Sequence, residues 1–187
     1  MRIIAGKFKN KKIIQPVDQT TRPLKDLTKE SIFNIIEHSP LIKIQIENSN
    51  ILDLFSGSGS FGLECISRGA YKIIFCESYK PVLNILKKNI NNLNCENNTQ
   101  VFDGDIFKIL KNKDSFNKKF DIIFLDPPFK EKKIYEILDV IKNTNLLKKD
   151  GIIILHRNKK DKDNFPSLTD IIIEKTYGRS KIFFINF

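Results

Sequence analysis

A chain of 187 residues with a formal net charge of +10 and a pI near 9.4 is long enough to fold as one domain with a sizeable core. Its start, MRIIAGKFKNKK, lacks an apolar signal core, and no stretch reaches the length of a membrane span, so a soluble cytoplasmic protein is expected. Cys65, Cys76 and Cys95 form no C-x-x-C pair and His38 and His156 lie far apart, which leaves no zinc or redox motif at recognised spacing; the field suits an anionic partner such as nucleic acid, although an AT-rich genome would also inflate lysine.

Residues 1–30 hold eight basic residues against three acidic ones. Arg2–Gly6 and Lys12–Ile14 read as a short hairpin whose turn carries the lysines. Arg2, Lys7, Lys9, Lys11 and Lys12 are candidates to grip phosphates, since each neutralised phosphate releases counterions; a solvated terminus is the competing reading. Arg22-Pro23 is expected in an extended turn, where the arginine could reach a phosphate or a cofactor carboxylate, or equally form a salt bridge with Asp26 or Glu30. A helix is expected from near Thr28, with Ile32, Phe33, Ile35 and Ile36 as its apolar face, ending at Ser39-Pro40. Residues 1–40 therefore read as a basic appendage, and 41–187 as the main domain.

The stretch ILDLFSGSGSFGLE, Ile51–Glu64, organises the rest. A buried strand runs into Gly57-Ser58-Gly59-Ser60-Phe61-Gly62 and then into a helical pattern. Glycine permits unusual backbone angles and close approach of a ligand, and free N–H groups at a helix start favour a polar ligand. The spacing matches G-x-G-x-x-G, and Glu77 stands about twenty residues on, where a ribose-binding acid is expected. Asp53 beside the turn would repel a pyrophosphate, whereas it suits a cofactor that carries an ammonium and a sulfonium. The string D-x-F-x-G-x-G, with Asp53, Phe55, Gly57 and Gly59, resembles the first motif of S-adenosylmethionine (SAM) methyltransferases.

Further on, Tyr71–Glu77 reads as a strand, Pro81 opens a helix with Val82, Leu83, Leu86 and Ile90 on one face, and the asparagine-rich Asn89–Asn98 reads as a loop. Gln100–Phe102 is a short strand leading to Asp103-Gly104-Asp105, with a small helical face beyond it. FDIIFL, Phe120–Leu125, is a strand buried on both sides. Lys132–Leu147 reads as a helix, Gly151–Leu155 as a strand and Asn158–Asp163 as a charged loop. Ile171–Ile173 and Ile182–Phe187 flank Tyr177-Gly178-Arg179-Ser180 as an antiparallel hairpin. This order predicts an α/β fold: a Rossmann-like, mostly parallel seven-stranded sheet closed by the terminal hairpin.

The second constellation is Asp126-Pro127-Pro128-Phe129, at the carboxyl end of the FDIIFL strand. Ligands of doubly wound sheets bind at those ends. Two prolines remove two N–H donors and stiffen the chain, leaving carbonyls, a carboxylate and an aromatic face. Such an array suits the exocyclic amine of a nucleobase: Asp126 and the Pro127 carbonyl would draw its lone pair out of conjugation while Phe129 stacks on the base. Alignment and preorganised electrostatics would supply most of the acceleration.

D-P-P-F with D-L-F-S-G-S-G resembles the amino-group methyltransferases of nucleic acids, DNA adenine enzymes included. RIIAGKFKNKKI, the pattern Arg22, Pro23, Asp26, Lys29, Glu30, Phe33, Asn34, and Tyr177-Gly178 narrow this. The whole chain resembles the RsmD family, bacterial 16S ribosomal RNA guanine-N2 methyltransferases. That resemblance implies SAM as cofactor, with Asp53, Gly57 and Gly59 at its methionine end, Glu77 on the ribose hydroxyls and Asp105 on the adenine amine. It implies guanine held by Asp126, Pro127 and Phe129, and ribosomal RNA of the small subunit on the basic N-terminal segment. No metal is expected from the Cys and His spacing, and a monomer is the default in the absence of a dimerisation pattern. Leu24, Leu27 and Leu155 depart from the family pattern. A DNA adenine-N6 methyltransferase, and a nucleic-acid-binding relative without catalysis, stay open on the sequence.

Overall fold

The computed structural model describes residues 1–16, 26–112 and 116–187. In chain order these form α1 (Asp26–His38), β1 (Asn50–Leu54), α2 (Ser60–Ser67), β2 (Lys72–Glu77), α3 (Lys80–Asn92), β3 (Thr99–Asp103), α4 (Ile106–Lys111), β4 (Phe120–Leu125), α5 (Ile134–Asn143), β5 (Leu147–Asn158), β6 (Asp170–Tyr177) and β7 (Ser180–Asn186). The strands make one seven-stranded sheet in the order β3-β2-β1-β4-β5-β7-β6. The first five are parallel, and β7 runs antiparallel to both β5 and β6. The expected Rossmann-like sheet with its terminal hairpin is what the chain builds. No described helix is long and apolar enough to cross a membrane.

Each central strand is apolar on both faces because helices cover both. Ile51, Ile122 and Ile154 join a core with α1, α2 and α3, whereas Leu52, Ile123 and Leu155 join a second core with α4 and α5. Leu155, one of the departures from the family pattern, is fully buried there.

Several expected boundaries move. The helix expected over Lys132–Leu147 is confined to Ile134–Asn143. It stops where Asn145 turns left-handed (φ 55°), and Leu147 is drawn into pairing with Phe120. The strand expected at Gly151–Leu155 extends over Leu147–Asn158, with an irregularity opposite Phe120–Ile122. Gly151 is needed there, since a Cβ would lie 2.9 Å from the Asp121 carbonyl oxygen. Asn89–Asn92, expected to be loop, is the last turn of α3.

The N-terminal hairpin reduces to one antiparallel bridge, Arg2 to Lys12. Ile3 N–H donates to the Lys11 carbonyl at 2.9 Å, Asn10 N–H to the Ile3 carbonyl at 2.9 Å and Ile13 N–H to the Met1 carbonyl at 3.0 Å, while other donors of the segment turn to α2. Ile4 and Ala5 N–H donate to the two oxygens of Glu64 at 2.7 and 2.9 Å, and Phe8 N–H donates to Ser67 Oγ at 2.9 Å. Glu64 is fully buried in α2, accepts from Arg68 Nε at 3.0 Å and faces the equally buried Lys29 ammonium at 3.5 Å. Burial pushes Lys29 below its ordinary range, against the opposing pull of Glu64 and Asp26. Ile3 and Ile13 then seat in the same core as Phe33 and Phe61.

Removing one partner of a buried charge network leaves the others uncompensated, at a cost of about 3–5 kcal/mol. Glu64→Ala is therefore expected to lower the calorimetric melting temperature by about 10 °C or more. Glu64→Gln, which keeps one acceptor for the backbone, should recover part of that loss.

Candidate active site

The site lies where β1 and β4 end side by side, with Leu54 paired to Leu125 and the Asp126 N–H reaching the Leu54 carbonyl at 3.4 Å. Beyond β1 the chain turns sharply. Phe55, Gly57 and Gly59 all take left-handed backbone angles, with φ of 59°, 56° and 82°. For the phenylalanine this costs on the order of 1–2 kcal/mol, strain of the kind that collects at functional sites. Ser56 anchors the turn, its hydroxyl 2.6 Å from the Asp53 carbonyl and accepting from the Cys76 N–H at 2.9 Å. A Cβ on Gly59 would meet Leu86 at 2.5 Å, and one on Gly62 would meet Phe75 at 2.4 Å, so the turn and α2 press onto their neighbours. A Cβ on Gly57 would meet nothing within 4 Å, which leaves that side open to a ligand.

Two acids flank the turn. Asp53 is buried, and its Oδ2 accepts from Gly62 N–H at 3.1 Å, while Oδ1 is buried with no hydrogen-bonding partner among the described residues. Burial drives its pKa well above the ordinary carboxylate range, with Asp126 and Glu77 adding to the rise and the Gly62 N–H opposing it. Such an acid is short of a donor, and a cationic ligand group would satisfy it. Glu77 ends β2, and its Oε2 accepts from Gly57 N–H at 2.8 Å and its Oε1 from Ser78 and Tyr79 N–H at 2.9 and 2.8 Å. These bonds lock the acid against the glycine turn. Asp105 is exposed at the start of α4, capping Phe107 N–H at 2.8 Å. Asp53, Phe55, Gly57, Gly59, Glu77 and Asp105 thus all sit at the carboxyl edge of β1, β2 and β3.

Across from them, Asp126-Pro127-Pro128-Phe129 leaves β4. Asp126 is held from the side by His156 on β5: Nδ1 lies 2.7 Å from Asp126 Oδ1, and Nε2 lies 2.8 Å from Ser180 Oγ on β7. A carboxylate only accepts, so Nδ1 carries the proton and donates; in the neutral ring Nε2 then accepts the hydrogen bond of the Ser180 hydroxyl. The Phe129 ring meets the imidazole edge-on, 5.7 Å between centroids. His156 and Ser180 were not singled out for the site by the sequence pattern, because 30 and 24 residues separate the partners of these two contacts. Arg157, the next residue on β5 and buried, donates to Asp163 at 2.9 Å and to the Glu131 carbonyl at 3.1 Å. It fixes the far end of the Asp126 loop beside a cleft of about 390 Å³ lined by Lys132, Tyr135 and Lys160.

Arg2, Lys7, Lys9, Lys11 and Lys12 are exposed together on the N-terminal loop, with Lys7 Nζ 4.7 Å from the Phe8 ring centre. Arg22 lies outside the described residues. Among the described residues no cluster of His, Cys, Asp and Glu could hold a metal ion.

Comparison with known proteins gives consistent findings. The family described as Conserved hypothetical protein 95 matches residues 1–186. The ribosomal RNA small subunit methyltransferase D of Haemophilus influenzae is 34% identical over 179 residues, covering 95% of this chain and 89% of that protein. The solved structure of yhhF from Escherichia coli superposes with a TM-score of 0.82 at 26% identity, over 99% of this chain and 96% of that one. The SAH-bound Podospora anserina methyltransferase PaMTH1 shares the fold, with a TM-score of 0.57 at 19% identity over 71% of this chain and 53% of that one.

The raised Asp53 pKa sets a pH dependence. Well below about pH 4 the carboxyl is protonated in both folded and unfolded chains. Above that range the unfolded chain releases the proton first, so the folded chain binds more protons and stability falls as pH rises. Asp53→Asn removes this contribution. The melting temperature of the variant relative to the unmodified protein should therefore climb between about pH 4 and 7. A difference that stays flat across that range would show Asp53 ionising as freely folded as unfolded.

Proposed function

The chain belongs to the Conserved hypothetical protein 95 family, the RsmD family its motifs resemble, and on that premise we propose that it transfers a methyl group from SAM to the exocyclic N2 amine of a guanine in 16S ribosomal RNA. The carrying observation is the facing of the strained glycine turn and the Asp126 loop across the ends of β1 and β4. One wall is shaped for a cationic nucleoside cofactor, and the other for a planar amine.

The residues of the first wall fit SAM. Asp53, with its unsatisfied buried oxygen, takes the ammonium directly or through a water. The open side of Gly57 admits the methionine portion, Glu77 accepts from the ribose hydroxyls, and Asp105 accepts from the adenine amine. Bound there, SAM supplies an activated methyl group on a sulfonium.

On the second wall Asp126 and the Pro127 carbonyl accept the two hydrogens of the guanine N2 amine. Their pull draws the nitrogen lone pair out of the ring toward the incoming methyl. His156 prevents Asp126 from rotating away, since its Nδ1–H engages one carboxylate oxygen. Phe129, braced edge-on by the same imidazole, stacks on the base and keeps the amine in line. The amine nitrogen would gain an N–C bond as the S–CH3 bond breaks, its electron pair staying on sulfur to leave S-adenosylhomocysteine. The N–H proton then released is received by the adjacent Asp126 carboxylate. Preorganised acceptors and alignment, with no strongly activated base, carry the acceleration.

The basic N-terminal segment, residues 1–40, takes the RNA backbone through Arg2, Lys7, Lys9, Lys11, Lys12 and Arg22, while residues 41–187 carry the catalytic site. The substrate is RNA in the small subunit, with the target base turned out of its stack. A DNA adenine-N6 methyltransferase, which shares D-P-P-F, is the competing reading.

Labelled methyl transfer from SAM to small ribosomal subunits lacking the modification, to naked 16S RNA and to duplex DNA tests this directly. N2-methylguanosine in the subunits is expected, reduced by about 100-fold or more in Asp126→Ala with SAM still bound. Label recovered as N6-methyladenine in DNA would replace the RNA reading with the DNA one.

A further inference from the structure

Asn89 takes no part in the chemistry, yet it is buried in α3 at 1% exposure with every polar atom of its carboxamide engaged. Oδ1 accepts from Ile14 N–H at 2.9 Å. Nδ2 donates to the Ile14 carbonyl at 3.0 Å and to the Ser58 carbonyl at 2.9 Å. One side chain thus pairs with the backbone of Ile14 as a neighbouring strand would, and with its remaining hydrogen holds the glycine turn. A second clip runs in parallel: Gln15 Nε2 donates to Ser58 Oγ at 3.0 Å. A third contact, Ser60 Oγ to Met1 Sδ at 2.6 Å, joins the same two segments. The helix that carries Asn89 is fixed by the burial of Val82, Leu83, Leu86 and Ile90.

Ser58 stands between the two left-handed glycines of the turn. Residues 14–15 directly follow the loop that exposes Lys7, Lys9, Lys11 and Lys12. Resting on the reading of that loop as the RNA contact and of the turn as the cofactor contact, we propose that Asn89 is a positioning residue that couples the two, so that cofactor and RNA bind with positive cooperativity. A ligand on the glycine turn fixes the Ser58 carbonyl and hydroxyl. With those fixed, Asn89 and Gln15 hold the end of the basic segment, and part of the ordering that RNA would otherwise demand is already done. The effect is reciprocal, since linked binding free energies require RNA to tighten cofactor by the same factor.

The test is equilibrium dialysis of labelled S-adenosylhomocysteine with and without unmodified small ribosomal subunits, beside subunit co-sedimentation with and without S-adenosylhomocysteine. Four proteins are compared: the unmodified chain, Asn89→Ala, Gln15→Ala, and a triple variant Lys9→Glu, Lys11→Glu, Lys12→Glu. The unmodified chain should show a mutual tightening of about fivefold or more, equal in both directions. That factor should fall toward one in Asn89→Ala, and at least halve in Gln15→Ala. Gln15 is partly exposed, so the second variant should keep its melting temperature and decides the matter if Asn89→Ala does not fold. A factor near one in the unmodified chain, or one unchanged in the folded variants, overturns the coupling. Unchanged subunit affinity in the lysine variant overturns the RNA reading of the segment, and the coupling with it; S-adenosylhomocysteine affinity there stays normal in either case.

Discussion

Everything at the site depends on the pairing of β1 with β4. Ile51 through Leu54 stand in register with Ile122 through Leu125, so the two strands end together. The glycine turn and the Asp126 loop therefore start from neighbouring points. The register is enforced by burial. Ile51 and Ile122 face one core, Leu52 and Ile123 the other, and a slip of one residue would send each set to the wrong side. With strand order β3-β2-β1-β4-β5-β7-β6, the chain reverses its direction of growth between β1 and β4. That switch point is where a doubly wound sheet leaves a crevice for ligand.

Polar groups buried beside this crevice trade stability for position. Glu64 satisfies backbone donors that the short N-terminal hairpin leaves unpaired, and Asn89 satisfies Ile14 in the same way. These two side chains add bonds to α2 and α3 to the few cross-strand bonds of the hairpin. A free hairpin could have moved independently of the sheet. Here the basic loop takes its position from the helices that also carry the glycine turn. Asp53 is the opposite case, a buried acid with one oxygen left unsatisfied. Its cost in the ligand-free protein is what a cationic ligand would relieve.

Most of the fold was legible because its signals are local. FDIIFL and ILDLF are apolar runs bounded by breakers, and both are strands; D-P-P-F and the glycine turn stand where strand-end logic puts them. What escaped was whatever depended on partners far along the chain. Asn89 read as loop because asparagine is a weak helix former, and only the Ile14 backbone, 75 residues away, explains a buried one. Glu64 gave no signal, since an acid in a helix ordinarily faces water. The reach of β5 beyond Gly151–Leu155 was hidden by Lys148, Lys149 and Asp150, which are exposed at an irregularity and carry no apolar pattern. The hairpin expected at residues 2–14 keeps cross-strand bonds from Ile3 to Lys11, Asn10 to Ile3 and Ile13 to Met1, but it does not extend into a ladder, because the Ile4, Ala5 and Phe8 donors go to Glu64 and Ser67 of α2.

The terminal hairpin gives the site a reason for its antiparallel ending. β7 inserts between β5 and β6, setting Ile182 opposite His156 and Ser180 opposite Asn158. A left-handed Gly178 (φ 58°) makes the tight return that starts β7 there, placing the Ser180 hydroxyl against His156 Nε2. A helix crossing over to a parallel strand would have begun that strand at the other end of the sheet, far from the imidazole. Because Ser180 is a short side chain on a paired strand, it has little freedom to withdraw, and the imidazole it holds has only one nitrogen left to offer. That nitrogen faces Asp126. Orientation of the acid is thus handed along from β7 through β5 to β4, across strands whose hydrogen bonds are already made.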